Sequence, residues 1–311
     1  MKHFLKQLLL ILVPVFVLIG FNYSVDYRSD GSKFVQNFVQ DINLNDSINV
    51  YSNTPERMII KERILRNKIS SKIILGSSRS MLIGKPIKLE ITNLSVSGAI
   101  LKDFKFIYHY LKKYQVKIDT IYIEISPWIL NKNNKEKRYK EFIDLTLKEK
   151  IKKFTSFRYF FDNINPNKYT TSVNSKDYVW YKDGTIKYSE EYRVFDIKKI
   201  IEYNKDEVYH LDGFNDIKKL DVSEFLSFID EMQNDNVSII FVKHSYPPLI
   251  NSNIISKYPN ILKTEILIDS IALTKKIKVI GSFNPESNNL ENLDYYDGMH
   301  LKPTGLKKLF N

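Results

Sequence analysis

The sequence predicts an α/β protein: a mostly parallel sheet with helices on both faces, preceded by an apolar N-terminal helix and interrupted by a mid-chain insertion. Three observations carry this. Short β-branched runs alternate with amphipathic stretches from residue 71 onward. The apolar runs are compact and end in Gly or Ser, as strands buried on both faces should. Residues 1 to 23 form a hydrophobic block unlike anything later in the chain.

In chain order, KIILG (72–76) reads as the first strand, ITNLS (91–95) as the second and DTIYIEIS (119–126) as the third. Between the last two, AILKDFKFIYHYLKKY has apolar residues at helical spacing and closes on lysines, which suits a helix C-terminus. SEFLSFIDEMQND then reads as helix, VSIIFVKHS as strand, SNIISKYPNILKTEILIDSIALTKK as largely helical and IKVIGSF as strand. PTGLKKLF is a closing helix opened by Pro303. Strand-helix succession of this kind places chemistry at the carboxyl ends of the strands.

The N-terminal block divides the chain: residues 1–23 as a signal anchor or transmembrane helix, 24–70 as a stalk and lead-in helix, and 71–311 as the α/β domain with an insertion at about 128–220. Lys2 and Lys6 precede fourteen uncharged, almost wholly apolar residues from Leu8 to Phe21. With Phe4 and Tyr23 in the interfaces, the run reaches about twenty residues, enough to span a bilayer. A signal-peptide core has the same length, but no A-x-A-like site follows and no cysteine is present for a lipid anchor. The sequence therefore predicts an uncleaved anchor. Basic residues before the span and Asp26 and Asp30 after it put the C-terminal domain outside the cytoplasm. The lead-in helix begins around Thr54 with Pro55 in its first turn.

Composition excludes several function classes. Cysteine is absent, so there is no disulfide framework, thiol nucleophile or Cys-based zinc site. The formal charge is +11, but the basic residues are mostly Lys scattered through Lys/Asn/Ile-rich sequence, so nucleic acid is not the expected partner. Anionic lipid or an anionic cell-surface polymer suits that charge better. No Gly-rich phosphate loop, H-E-x-x-H or EF-hand pattern occurs, and neither cofactor nor metal is expected. The insertion holds both tryptophans, many tyrosines and a candidate hairpin at YKDGTIKY. It is either a solvated excursion or a cap whose aromatics shape a groove for sugar rings.

Two segments carry chemistry. IILGSSRS sets Gly76, Ser77 and Ser78 at the end of the first strand, where a serine can present its hydroxyl while its own N–H and a following helix N-terminus face a developing oxyanion. An ordinary turn or helix cap uses the same residues. YYDGMHLKPTG sets Asp297 three residues before His300, after the last strand, and a parallel topology returns that loop to the same sheet edge. There His300 would take the serine proton and Asp297 would fix the imidazole tautomer. His244, after the fourth strand, approaches the same edge. Glu124, inside IYIEI, is expected to face a neighbour or solvent.

These blocks resemble the SGNH (GDSL-like) hydrolase family, in the divergent membrane-anchored branch of the teichoic acid D-alanyl transfer protein and the accessory O-acetyltransferases of polysaccharide acetylation. Gly76-Ser77-Ser78 is similar to the first block, NLSVSGA with Gly98 to the second, and DGMHLKPTG to the last. The resemblance implies a flavodoxin-like three-layer α/β/α sandwich, with Ser78, His300 and Asp297 as catalytic residues and the N–H groups of Ser78 and Gly98 as oxyanion donors. Ser77, Arg79, Ser126 and His244 are candidates for substrate contact. Ser77 stands where the family's usual aspartate would be, and the third block's Gly-x-Asn-Asp is missing, since the third strand ends IEISPW.

Two functions follow from the resemblance. One is an extracytoplasmic serine esterase or O-acyltransferase acting on a glycan or acylated cell-envelope polymer, with a membrane-embedded acyltransferase as partner. The other is a catalytically degenerate binding or scaffold protein.

Overall fold

The computed structural model describes residues 2–24, 33–50, 54–66, 69–164 apart from 132, 135, 144 and 145, 178–189, 196–203, and 208–311 apart from 209, 212 and 218. Its strands are β1 (Ser47–Val50), β2 (Lys72–Leu75), β3 (Thr92–Asn93), β4 (Thr120–Ile125), β5 (Tyr178–Tyr181), β6 (Ile186–Tyr188), β7 (Ser238–Lys243) and β8 (Lys278–Ile280). Its helices are α1 (Lys2–Ser24), α2 (Lys33–Asn45), α3 (Glu56–Arg66), α4 (Leu101–Lys113), α5 (Leu147–Phe154), α6 (Phe157–Ile164), α7 (Ile197–Tyr203), α8 (Lys219–Asn234), α9 (Pro248–Lys257), α10 (Asn260–Lys275) and α11 (Pro303–Phe310).

Five strands form one sheet in the order β3-β2-β4-β7-β8, and every neighbouring pair is parallel. In chain order this is 2-1-3-4-5, one of the two common doubly wound arrangements. The period-2 geometry of a strand then sorts its side chains between two layers. Ile73, Leu75, Ile121, Ile123, Ile125, Ile239 and Phe241 join residues of α4, α8, α9 and α10 in one core. Ile74 and Val242 join α2, α11 and a three-stranded sheet, β1-β5-β6, in the other. Each buried aliphatic contributes about 1.5–3 kcal/mol.

Residues 33–50 are not a stalk. Val35, Phe38, Val39 and Ile42 of α2 are fully buried, Phe38 meets the Trp180 ring edge-on at 5.4 Å, and β1 pairs antiparallel with β5. The one-sided apolar pattern of α2 needs a surface to cover, and the second layer of the sheet supplies it. Within the expected stalk and lead-in region, residues 25–32, 51–53 and 67–68, and with them Asp26 and Asp30, lie outside the described residues. The insertion is likewise not a solvated excursion throughout. The expected hairpin forms as β5 and β6, with Gly184 at φ +92° in its turn, and Trp128, Leu130, Phe142, Ile200, Leu211 and Phe214 are buried in the main core. Part of the aromatic-rich stretch, residues 165–177 and 190–195, lies outside the described residues.

Lys6–Ser24, within α1, has a mean hydropathy of 2.0 and is the one helix among the described residues long and apolar enough to cross a membrane, a test that a signal sequence also passes.

Candidate active site

β2 and β4 flank the point where the strand order reverses, and that is where open α/β sheets form their crevices. The segment after β2 brings Ser78 there. From Ile73 to Gly84 the chain is buried except at Ser78, which alone keeps solvent access. Gly76 is required by close approach. A Cβ on it would stand 2.6 Å from Ser80 Cβ and 2.7 Å from Glu124 Oε2, well inside van der Waals contact. No helix follows Ser78, contrary to the sequence expectation. Successive turns, closed by Ser80 N–H to the Ser77 carbonyl and Ile83 N–H to the Ser80 carbonyl, run into the short helical turn Lys85–Ile87. Gly84 at φ +145° and Pro86 keep an α-helix from propagating, so a helix dipole does not face the site.

The second component comes from the loop after β8. A bridge between Tyr295 and Leu301 and the bond from Tyr296 N–H to the His300 carbonyl pinch residues 295–301 into a tight loop. Asp297 Oδ1 accepts the backbone N–H groups of Met299 and His300, at 2.9 Å each, which holds the carboxylate in place. His300 Nδ1 lies 2.9 and 3.0 Å from the two Asp297 oxygens, and its Nε2 lies 2.9 Å from Ser78 Oγ. An ionised carboxylate only accepts, so Nδ1 carries the proton, Nε2 is left as acceptor, and the Ser78 hydroxyl donates to it. Tyr188 of β6 meets the His300 ring edge-on at 6.1 Å, which puts an aromatic of the insertion beside the imidazole.

Beneath these groups lies a buried polar layer only partly foreseen. Ser77, Arg79, Ser126 and His244, candidates for substrate contact, are all buried and turned to internal partners. Glu124 is buried too, not solvent-facing. It accepts Ser77 N–H at 2.6 Å and the hydroxyls of both Ser77 and Ser126. Arg79 ties three loops together by donating to the carbonyls of Met299, His244 and Ser245, while its guanidinium lies 5.0 Å from the Tyr246 ring. One arginine thereby joins the Ser78 segment to the His300 loop. The signal for Glu124 was a lone acid among isoleucines on the strand beside Gly76. For Arg79, its place directly after Ser78 gave no hint of its partners.

Burial by itself would raise the Glu124 carboxyl, but attraction to His244 whenever that ring is protonated, the Arg79 charge and the Ser126 and Ser77 hydrogen bonds outweigh it and hold the group below the usual carboxylate value. Burial lowers His244 to about 3, so it is neutral at pH 7 and Arg79 is the standing cation beside Glu124. A histidine that resists protonation when folded, but accepts a proton near pH 6.5 when unfolded, contributes stability that is complete above 6.5 and lost as pH falls toward 3. Glu124 acts in the same direction, its contribution fading as pH falls through its depressed folded value. Stability should therefore decline by on the order of 1 kcal/mol per pH unit on acidification from pH 6.5. Denaturant titrations of wild type and His244→Gln between pH 7 and 4.5 check this; equal slopes in the two proteins would refute it.

The expected oxyanion donors, the N–H groups of Ser78 and Gly98, are backbone groups. Val96 N–H bonds the Gly76 carbonyl at 3.0 Å, so the loop after β3 lies beside the Ser78 segment, and Gly98 takes φ +60° there, a conformation few other residues adopt cheaply. Among the described residues, no other group accepts the N–H of Ser78 or Gly98. A side-chain donor from the third strand is not at hand, since the Ser126 hydroxyl serves Glu124 and the Asn131 amide donates to the His210 carbonyl. A separate cleft of about 1200 Å³, lined by Arg63, Arg66, Lys85, Lys88 and Lys182 among others, lies near the amino ends of β2 and β3, away from Ser78.

Fold and site together define a doubly wound α/β protein with a Ser-His-Asp hydrogen-bonded chain at the carboxyl edge of its parallel sheet. The chain matches no protein-family model, no curated protein and no solved structure.

Proposed function

We propose that this chain is a serine esterase or O-acyltransferase of the SGNH type, anchored by α1 and acting outside the cytoplasm on acyl groups of a glycan or other cell-envelope polymer. The observation that carries the reading is the 2.9 Å approach of Ser78 Oγ to His300 Nε2 across 222 residues of chain, with Asp297 on the opposite ring nitrogen. Ser78 Oγ attacks the acyl carbonyl carbon while its proton passes to His300 Nε2, and Asp297 stabilises the imidazolium. The Ser78 and Gly98 N–H groups receive the oxyanion. The same proton then goes to the departing oxygen, leaving the acyl group on Ser78. Water or a sugar hydroxyl, deprotonated by His300, takes the acyl group off again and regenerates the serine. Hydrolysis and transfer differ only in that second acceptor. No cofactor is needed. A membrane-embedded acyltransferase would supply the acyl group, since an exported domain meets no soluble activated-acyl pool.

One observation favours a second reading, a scaffold that binds polymer without turnover. The Ser126 hydroxyl and the Asn131 amide are engaged with Glu124 and the His210 carbonyl, so neither supplies the missing side-chain donor to the oxyanion. A missing donor costs about 100-fold or more in rate. A fluorophosphonate probe separates the two readings: it is expected to label Ser78, found by peptide mass, with labelling abolished in His300→Ala. A chain that binds polysaccharide yet leaves Ser78 unlabelled would be the scaffold.

A further inference from the structure

The helical hairpin α5–α6 exposes apolar side chains that the body of the protein does not cover. Leu147, Ile151, Phe157 and Phe161 are 74%, 54%, 69% and 68% exposed, and α5 buries no residue at all. Leu147 and Ile151, and Phe157 and Phe161, are each spaced four apart and so share a helix face. The hairpin is also basic, with Lys148, Lys150, Lys152, Lys153 and Arg158 beside those apolar positions. Its turn is joined to the exit end of the candidate membrane span. The Asn22 side chain donates to the carbonyls of Phe154 and Ser156, Phe21 lies 4.7 Å from Phe160, and Tyr23 meets Phe154 edge-on at 5.7 Å.

We propose that α5–α6 is a second membrane contact, lying in the outer interface of the same bilayer that α1 crosses, with its leucine, isoleucine and phenylalanines among the acyl chains and its lysines on anionic lipid headgroups. Apolar residues on one side, lysines on the other and aromatics at the level where a span leaves the bilayer are the attributes of interfacial helices. The hydrogen bonds from Asn22 set the hairpin against the span's end, so a chain anchored through α1 presents it at headgroup depth. The catalytic domain is thereby held at a defined distance from the membrane rather than swinging on a tether. The inference rests on α1 as a span and is independent of the chemistry at Ser78.

Because the chain has no cysteine, single cysteines can be introduced and labelled with an environment-sensitive fluorophore. Full-length Phe161→Cys, Phe16→Cys within α1 and Leu273→Cys on α10 are reconstituted in phosphatidylcholine vesicles containing phosphatidylglycerol, with doxyl quenchers placed shallow or deep in the acyl region. Shallow lipid is expected to quench the Phe161 label about twofold or more and deep lipid the Phe16 label, with Leu273 unaffected. The effect at Phe161 should drop on changing Lys148, Lys150, Lys152 and Lys153 together to Gln, or on leaving out phosphatidylglycerol. Quenching at Phe16 without quenching at Phe161 overturns the contact while sparing the anchor. Absence of quenching at Phe16 overturns both. Equal quenching at Leu273 would show that the hairpin is not the surface engaged.

Discussion

Ser78→Ala is expected to lower acyl-ester turnover by roughly 10⁴- to 10⁶-fold, and a His300 replacement by a similar factor, because nucleophile and base act as one unit and losing either removes the covalent route. The two losses should not add in the double variant. Ser78 is partly exposed and among the described residues its hydroxyl bonds only His300, so Ser78→Ala should shift stability by less than about 1 kcal/mol. His300 is buried against Tyr188, and Gln there preserves more of the packing than Ala. The measurement is steady-state hydrolysis of an activated acetyl ester by purified full-length protein, beside a thermal melt of each variant. Turnover by Ser78→Ala within tenfold of wild type, from a properly folded sample, would refute the assignment of Ser78 as nucleophile.

The second large effect is expected at Glu124, and it falls on stability first. Its carboxylate takes Ser77 N–H and two hydroxyls in a site without water access, next to a fully buried guanidinium. Gln presents an amide NH₂ where only acceptors fit, leaves a buried donor pair opposed and strips Arg79 of its counter-charge. A loss on the order of 3 kcal/mol follows, and for a chain of this size it lowers the melting temperature by roughly 5–10 °C. Since Ser77 N–H fixes the turn that aims Ser78, kcat should fall more than KM rises, as for a positioning residue that substrate does not touch. An unchanged melting temperature in Glu124→Gln would show that the carboxylate does not organise this layer.

The parts of this picture that the sequence disclosed are those with a local signature. Strand runs, helical spacing and the Pro303 start each depend on neighbours within a few residues, and these elements form close to where periodicity puts them. The Ser78 and Asp297/His300 segments were legible because each follows a recognisable strand, and parallel topology sends successive strand ends to one edge. What escaped was whatever depends on a partner far away in the chain. Asp297 three residues before His300 is visible in any reading, whereas Glu124 under Ser77 depends on β4 lying beside β2 in one register, with Leu75 opposite Ile123.

The apolar first block, the order of strands and helices, the absence of cysteine and the two segments that meet at Ser78 and His300 were therefore legible in residue order alone, since periodicity, charge and composition are properties of contiguous chain. Tertiary structure decided that α2 and β1 close one face of the sheet, that turns rather than a helix follow Ser78, and that Arg79, Glu124 and His244 work beneath the site. The reason is physical: a buried polar group is tolerated only where distant donors and acceptors satisfy it, and no local pattern in a chain records which distant groups will arrive.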